Sequence, residues 1–520
     1  MNSESSLGRD TYFFEKGDPE DMKRKAIALA IVFALVFALG AGAADNTGRK
    51  LKDTLRVATW EDVKTMDPQA SNFVSWWMVQ LNIFDKLVYE DAEGVVHPRL
   101  ATEWKFLDDL TLEMKLRKDV LFHDGGKFTA EDVLFTFQRG KANSISASTF
   151  APFDLENTVI VDPYTIRIKF KTPYAAIFNT LTTGRGSIVS KAAVEKMGAD
   201  AYARNPVGTG PYKLASWKSG SEISLVRNEK YWGKPAITKN VIFKIIPEAA
   251  NRIIELETGG VDAVFDVAAN DVKRVKSMKG ASILMGDSSR YMTLTFSMKD
   301  PLLANKDVRY ALSYAIDKKA LVDAVYEGTA TVATGMYPPT VFAFKNKGVM
   351  PYDVAKAKEL LTKAGYPNGF TMNFLLENRE ADIRLAEIIQ NMWAAVGVKV
   401  KMFQMNASTY TAQGNKFQAG MRAGNVNEPS NILIIYDSAF KERIEPNDPW
   451  IDKKLADAKT IYDSKKRAAA YGEIQDYLYD IRYTVPFAFT PVIYALSDRV
   501  EGWVCDPMQQ VEMSVVSVYQ

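Results

Sequence analysis

Leu116 to Val133, LRKDVLFHDGGKFTAEDV, is the most informative segment of the 520-residue chain. Phe122-His123-Asp124-Gly125 has the composition of a turn, and Thr129-Ala130-Glu131-Asp132 opens a helix over the run Val133 to Phe137. A threonine oxygen can cap such a helix, and acids in its first turn favour the dipole. His123 beside Asp124 could suggest acid–base work, but a turn ahead of a capped helix accounts for the same residues. Upstream, Leu100 to Leu116 alternates at period two around Asp108-Asp109 and reads as a hairpin. Downstream, Thr158 to Phe170 reads as paired strands about an Asp162-Pro163 turn.

The chain holds 65 Lys+Arg against 63 Asp+Glu, two His and one Cys, with 47% hydrophobic residues. That is too apolar for disorder. The balanced charge argues against nucleic acid as a partner, which calls for a basic excess to displace counterions. Only one stretch is apolar enough to enter a bilayer, which excludes a polytopic membrane protein. Cys505 alone cannot form an intramolecular disulfide and reads as a small buried hydrophobe. With only His97 and His123 besides, no metal site and no cofactor are expected. No G-x-S-x-G, H-E-x-x-H or EF-hand loop occurs. Gly208-Thr209-Gly210 runs into Pro211 rather than the Gly-Lys-Ser/Thr of a phosphate loop, so it reads as a tight turn. An enzyme is therefore not expected, although a secreted carboxylate-pair hydrolase stays open as an alternative, Asp and Glu being plentiful.

Lys23-Arg24-Lys25, the apolar run Ala26 to Leu39 and Gly40-Ala41-Gly42-Ala43 have the order of a secretory signal peptide, with cleavage expected after Ala43. The polar stretch Met1 to Asp21 leaves two readings, a start at Met22 or a genuine extension with the apolar run as an uncleaved anchor; the run is short and alanine-rich for a stable span, so cleavage is expected. No cysteine near the cleavage point can take a lipid, so a freely diffusing periplasmic protein is expected. Beyond it, Thr54 to Thr59 (TLRVAT) alternates like a buried strand, and Trp76, Trp77, Val79, Leu81 and Phe84 suit the buried face of a helix. Pro206 to Trp232 reads as strand, turn, strand, and Val241 to Ile246 and Val261 to Val267 as further strands. Between those two, Ala249 to Thr258 is a helix ending at Gly259-Gly260. Three-to-four spacing predicts helices over Asp307 to Tyr326, Asp353 to Ala364 and Asp382 to Val396. Strands are expected at Tyr291 to Phe296, Val398 to Phe403 and Ile432 to Tyr436, with Tyr483 to Leu496 a return strand.

Leu116 to Val133 resembles the hallmark segment of family 5 extracellular solute-binding proteins, the oligopeptide/dipeptide-binding group of ABC importers. Four further stretches resemble the same family in the same order: Pro206 to Tyr212 (PVGTGPY), Arg227 to Trp232 (RNEKYW), Asp307 to Asp317 (DVRYALSYAID), and Ala355 to Leu361 (AKAKELL) leading to Ala364-Gly365-Tyr366-Pro367. The resemblance spans the mature chain. It implies an α/β fold, periplasmic binding protein-like of the class II type, with two α/β domains, an extra subdomain and a hinged cleft. Domain I would comprise 44–95, 205–286 and 491–520, the inserted subdomain 96–204, and the second α/β domain 287–490. The hinge would be two strands, near Asp287 to Leu294 and Pro486 to Leu496. The implied function is the periplasmic substrate-binding component of an ABC transporter. A monomer would capture a peptide or peptide-like solute by hinge closure and deliver it to a membrane permease. The alternative is the same role for an oligosaccharide or other non-peptide solute.

In that family a W-x-A-D-Y pattern followed by N-E-P or P-D-P supplies an aspartate that grips the ligand's α-ammonium. The matching stretch here is Met421 to Asn431; Asn427-Glu428-Pro429 is retained, Asn425 takes the aspartate's place, and Arg422 is added. A buried ammonium needs a fixed anion to offset its desolvation. A peptide with a free N-terminus should therefore bind poorly, unless Glu61 or Glu428 supplies the charge or the alignment slips by a residue or two. Trp60 and Glu61 follow the first strand, at the end where α/β clefts bind ligands. As further lining candidates, Trp76 or Trp77 would contribute one ring, with core packing expected for at least one of them; Arg185, between two glycines, would either reach a ligand carboxylate or be a surface arginine; Met336-Tyr337 would lie on a loop where the family often contacts ligand; and Tyr436 would be a further wall. No histidine lies in the second domain, so nickel-type ligands are not expected.

Overall fold

A computed structural model describes residues 49–520 apart from 72–73, 92–94, 426–427 and 442. The leader and Asn427 therefore lie outside the described residues. TLRVAT forms strand Thr54–Thr59 at the heart of a seven-stranded sheet, parallel to Asn240–Ile245 on one side and Ala263–Val264 on the other. Leu55 and Val57 pack on one face with Trp76, Val79 and Phe84, while Ala58 packs on the other with Ile253 and Val264. A central parallel strand is covered on both faces, and here Leu55 and Val57 to Thr59 are buried while Thr54 and Arg56 are half-buried. Glu222–Arg227 and Tyr212–Lys218 complete one side of the sheet, and Val492–Ser497 and Ala281–Gly286 the other. The expected strand over Val261 to Val267 shortens to Ala263–Val264. Asp262 turns its carboxylate to the Arg56 N–H (3.0 Å) and Asp266 adopts φ 57°, so neither flank continues the ladder.

The hallmark segment leads out of a four-stranded antiparallel sheet, ordered Ala101–Asp108, Thr111–Leu116, Thr165–Lys169, Val159–Asp162. Helix Ala130–Ala142 starts where expected, with the Thr129 N–H donating to Asp132 Oδ2 at 2.9 Å. His123 is a staple. Its backbone N–H donates to the Gly208 carbonyl (2.9 Å), its Nδ1 accepts the Gly208 N–H (3.3 Å), and its Nε2–H reaches the Gly210 carbonyl (3.0 Å). Burial lowers its pKa to about 4, so the ring is neutral and serves packing. Gly208 is required there, because a Cβ would lie 2.0 Å from the Ile83 carbonyl oxygen.

The second lobe holds a six-stranded sheet ordered Thr331–Val332, Thr484–Phe489, Arg290–Phe296, Ala419–Asn425, Thr371–Glu377, Lys399–Met405. The helix expected over Asp307 to Tyr326 is two, Lys306–Tyr314 and Lys318–Tyr326. Asp317 caps the second through the Ala320 N–H, while Lys318 Nζ donates to the Ser313 (2.8 Å) and Ile316 (3.2 Å) carbonyls at the end of the first. The strand expected at Ile432 to Tyr436 is corrected: Pro429–Ile432 is α-helical and Leu433–Tyr436 a 3-10 turn. Pro429 at the first helical position and the Glu428 cap start a helix there. The apolar run is buried among Ile451, Leu455, Tyr471 and Ile474 rather than on a sheet.

Tyr483 to Leu496 is likewise two strands serving two sheets, Thr484–Phe489 and Val492–Ser497. Ala281–Gly286 and Arg290–Phe296 divide in the same way. The chain thus crosses between lobes at 287–289 and at 490–491. These crossings touch, since the Ser288 hydroxyl donates to the Thr490 carbonyl at 2.5 Å.

Candidate binding cleft

Parallel strands Thr54–Thr59, Asn240–Ile245 and Ala263–Val264 end at one edge of the first sheet, where the chain turns off at Trp60, Ile246 and Phe265-Asp266. In the second sheet, Thr371–Glu377 is parallel to both Lys399–Met405 and Ala419–Asn425, so these strands also end at a common edge. Arg290, the antiparallel partner of Asn425, lies at that edge. Its Nη1 donates to Asp266 Oδ1 at 2.7 Å and joins the two edges. Carboxyl ends of parallel strands are where α/β clefts take ligands, because side chains there are free of helix cover. Asn425 Oδ1 is buried at this edge without a hydrogen-bond partner. Arg379 is held there by Asp382 at 2.8 Å and Glu377 at 3.4 Å.

The two lobes together line a cavity of about 1170 Å³ that is partly open to solvent. The first lobe contributes Leu81, Phe84, Lys86, Glu90 and residues of the 502–515 segment; the inserted sheet's side contributes Ala175, Phe178 and Asn179; the second lobe contributes Val341, Phe342, Glu428 and Arg467. The walls are mixed: apolar rings interrupted by charges of both signs. Lys86 Nζ donates to the Thr182 carbonyl and to Gln510 Oε1, both at 2.7 Å. Burial, with the charge of Arg99 adding, lowers its pKa to about 8. Arg99 is tied to Asp85 at 2.7 Å and also to Glu512. Burial raises Glu90 to about 7 against the Thr182 hydroxyl bond, and burial also raises Glu428 and Asp506. Arg467 lies 4.4 Å over the Phe342 ring and 3.9 Å from Glu428.

Among the described residues, none of those singled out from sequence, Glu428 apart, is on the wall of this cavity. Trp60 packs 6.1 Å from Phe265 on the first-lobe edge, followed by Glu61, both half-buried. Trp76 is a core residue beneath that edge, and Trp77 packs with Leu81 and Met508. Arg185 is only partly exposed; its Nη1 donates to Thr149 Oγ1 (2.8 Å) and its Nε to the Ser71 carbonyl (3.4 Å). Met336 and Tyr337 are buried, and the Tyr337 hydroxyl donates to the Ala343 carbonyl. Tyr436 is buried, with its hydroxyl 2.6 Å from Thr484 Oγ1. Arg422 and Asn425 lie on the strand that ends at the cleft edge. Glu428, weighed as an alternative anion, is on the cavity wall. Sequence reasoning passed over Lys86, Glu90, Phe342, Arg467 and the 502–515 segment. Glu90 ends a short strand, Arg467 lies on helix Ser464–Ile481, and Phe342 and most of 502–515 are loop, so no single pattern marks them out.

Two lobes joined by a double crossing and enclosing a cavity define the periplasmic binding-protein fold. Residues 95–442 match the bacterial extracellular solute-binding proteins, family 5 Middle, and the chain belongs to that family. It is 29% identical to heme-binding protein A of Haemophilus influenzae over 463 residues, 82% of this chain and 85% of the relative. It is 27% identical to glutathione-binding protein GsiB of Shigella dysenteriae over 506 residues, 92% of this chain and 95% of the relative. Among solved structures it resembles the ABC transporter-associated periplasmic binding protein DppA of Helicobacter pylori in complex with peptide STSA, with TM-score 0.82 and 25% identity. That likeness covers 92% of this chain and 100% of the other. No helix among the described residues is long and apolar enough to cross a membrane.

Proposed function

We propose that the exported, mature chain acts as a monomeric periplasmic receptor that closes over a peptide or peptide-like solute and hands it to the permease of an ABC importer. The observation that carries this reading is the cavity lined from both lobes, whose walls combine aromatic surface with cations and carboxylates. Closing such a cavity removes water and strengthens each polar contact to the guest. The lobes would comprise 44–95 with 205–286 and 491–520, the insert 96–204, and 287–490, with the leader removed after Ala43. Trp60, Glu61, Trp76, Arg185, Met336, Tyr337, Arg422, Asn425, Asn427 and Tyr436 are retained as the proposed surround of the guest. Asn425 is the sharpest of them, its buried Oδ1 offering an acceptor to an N–H of the guest.

That Asn425 is neutral and follows Arg422 favours a second reading, a guest without a free ammonium, such as an oligosaccharide or anionic metabolite. The relatives named for heme, glutathione and a peptide support a cleft that differs in guest from one family member to another. Native mass spectrometry of the protein purified from its host tests both readings. A co-purified mass of peptide composition is expected. A non-peptide mass selects the second reading, and steady turnover of that guest would refute both.

A further inference from the structure

Tyr462 lies on the loop between helices Pro449–Lys459 and Ser464–Ile481 of the second lobe, and it meets the inserted sheet's side of the molecule. Its hydroxyl accepts the Tyr174 N–H (3.1 Å) and donates to the Asp109 carbonyl (2.8 Å). Its ring lies 4.8 Å from that of Phe106. Beside it, the Ala175 N–H donates to the Lys459 carbonyl (3.0 Å), and Asn431 Nδ2 donates to Asn179 Oδ1 (3.2 Å). Every one of these contacts joins segments more than 250 positions apart in sequence. None is an ion pair. Ala175 and Asn179 also belong to the cavity wall, so the contact closes the cavity on that side.

We infer that this uncharged clasp, centred on Tyr462, is the gate of the cavity and that it opens as one cooperative unit. Hydrogen bonds between backbone and a phenol form only when the lobes are together, and a backbone N–H that loses its partner to water exchanges freely. The clasp therefore reports closure through its own amides. Main-chain groups supply half of it, which makes side-chain substitution a graded rather than an all-or-none perturbation.

Hydrogen exchange of the full, solute-free chain, resolved to single amides, tests the inference on wild type and Tyr462→Phe. The phenylalanine keeps the ring against Phe106 and removes only the hydroxyl, so folding is preserved. The decisive amide is Ala175, whose acceptor on Lys459 the substitution does not touch. We expect Ala175 to exchange about tenfold faster in the variant, as loss of two net hydrogen bonds from one cooperative contact requires. Asn431→Ala should accelerate the same amide by about threefold. If Tyr174 alone speeds up while Ala175 keeps its wild-type rate, the contact is a set of separate bonds and the gate is refuted. Full exchange of both amides in wild type refutes it too. No solute enters the measurement, so its outcome is independent of which guest the receptor carries.

Discussion

Acidifying the solution from about pH 7.5 to about pH 5 should destabilise the fold by about 2 kcal/mol through His123 alone. The half-buried ring lies between the hallmark segment and PVGTGPY, and its desolvation lowers the pKa from 6.5 to about 4, with the Lys213 charge adding and the Gly210 bond opposing. Between those two values the unfolded chain binds a proton that the folded chain refuses. Stability is therefore complete above the ordinary histidine range and drains away as the pH falls towards the folded value, by about 3 kcal/mol in all. A proton on Nδ1 would also set N–H against the Gly208 N–H, 3.3 Å away. The assay is denaturant unfolding of wild type and His123→Gln at both pH values. Glutamine retains a donor and an acceptor but does not titrate, and carboxylates common to both proteins cancel in the comparison. The variant should lose about 2 kcal/mol less than wild type between the two conditions. Equal losses would refute the assignment of His123 as a neutral staple.

Gly208→Ala would put a methyl 2.0 Å from the Ile83 carbonyl oxygen, and expression of soluble chain should fall sharply with a melting point lowered by several degrees. Burial lowers Lys318 from 10.5 to about 7, so the unfolded chain binds the extra proton above neutrality and stability should rise with pH. The gain is about 2 kcal/mol between about pH 7 and about pH 9; Lys318→Met should abolish it and leave the smaller share of Lys86. Asn425→Asp supplies an anion at the cleft edge, and calorimetry with free di- to pentapeptides should show binding about tenfold tighter than wild type. Unchanged affinity would remove Asn425 from the site.

Alternating strands were legible residue by residue: TLRVAT occupies the positions its alternation predicts, with Leu55 and Val57 buried between half-buried Thr54 and Arg56. Hairpins with Asp at the turn were equally plain. Apolar runs without periodicity misled. Ile432 to Tyr436 looks like a strand, yet the Glu428 cap and Pro429, four and three residues earlier, commit it to helical turns. Helix Ser464–Ile481 carries only a thin apolar stripe of Tyr471, Ile474 and Leu478, too narrow to stand out among its charges. The cleft edges could be placed from strand ends, which follow from topology. The cavity wall could not, because it brings together Glu90 from a strand end, Glu428 from a helix cap, and Phe342 and Met508 from loops, residues far apart in the chain with no shared pattern.

The paired crossings at 287–289 and 490–491 carry a mechanical consequence. A single connecting strand would act as a ball joint, free to twist as well as swing. Two pinned side by side by Ser288 and Thr490 define an axle, so one half can pivot about a single line while rotation across that line is resisted. Each return stroke then lands the same rim on the same rim, and Tyr462 meets Asp109 and Tyr174 without a search.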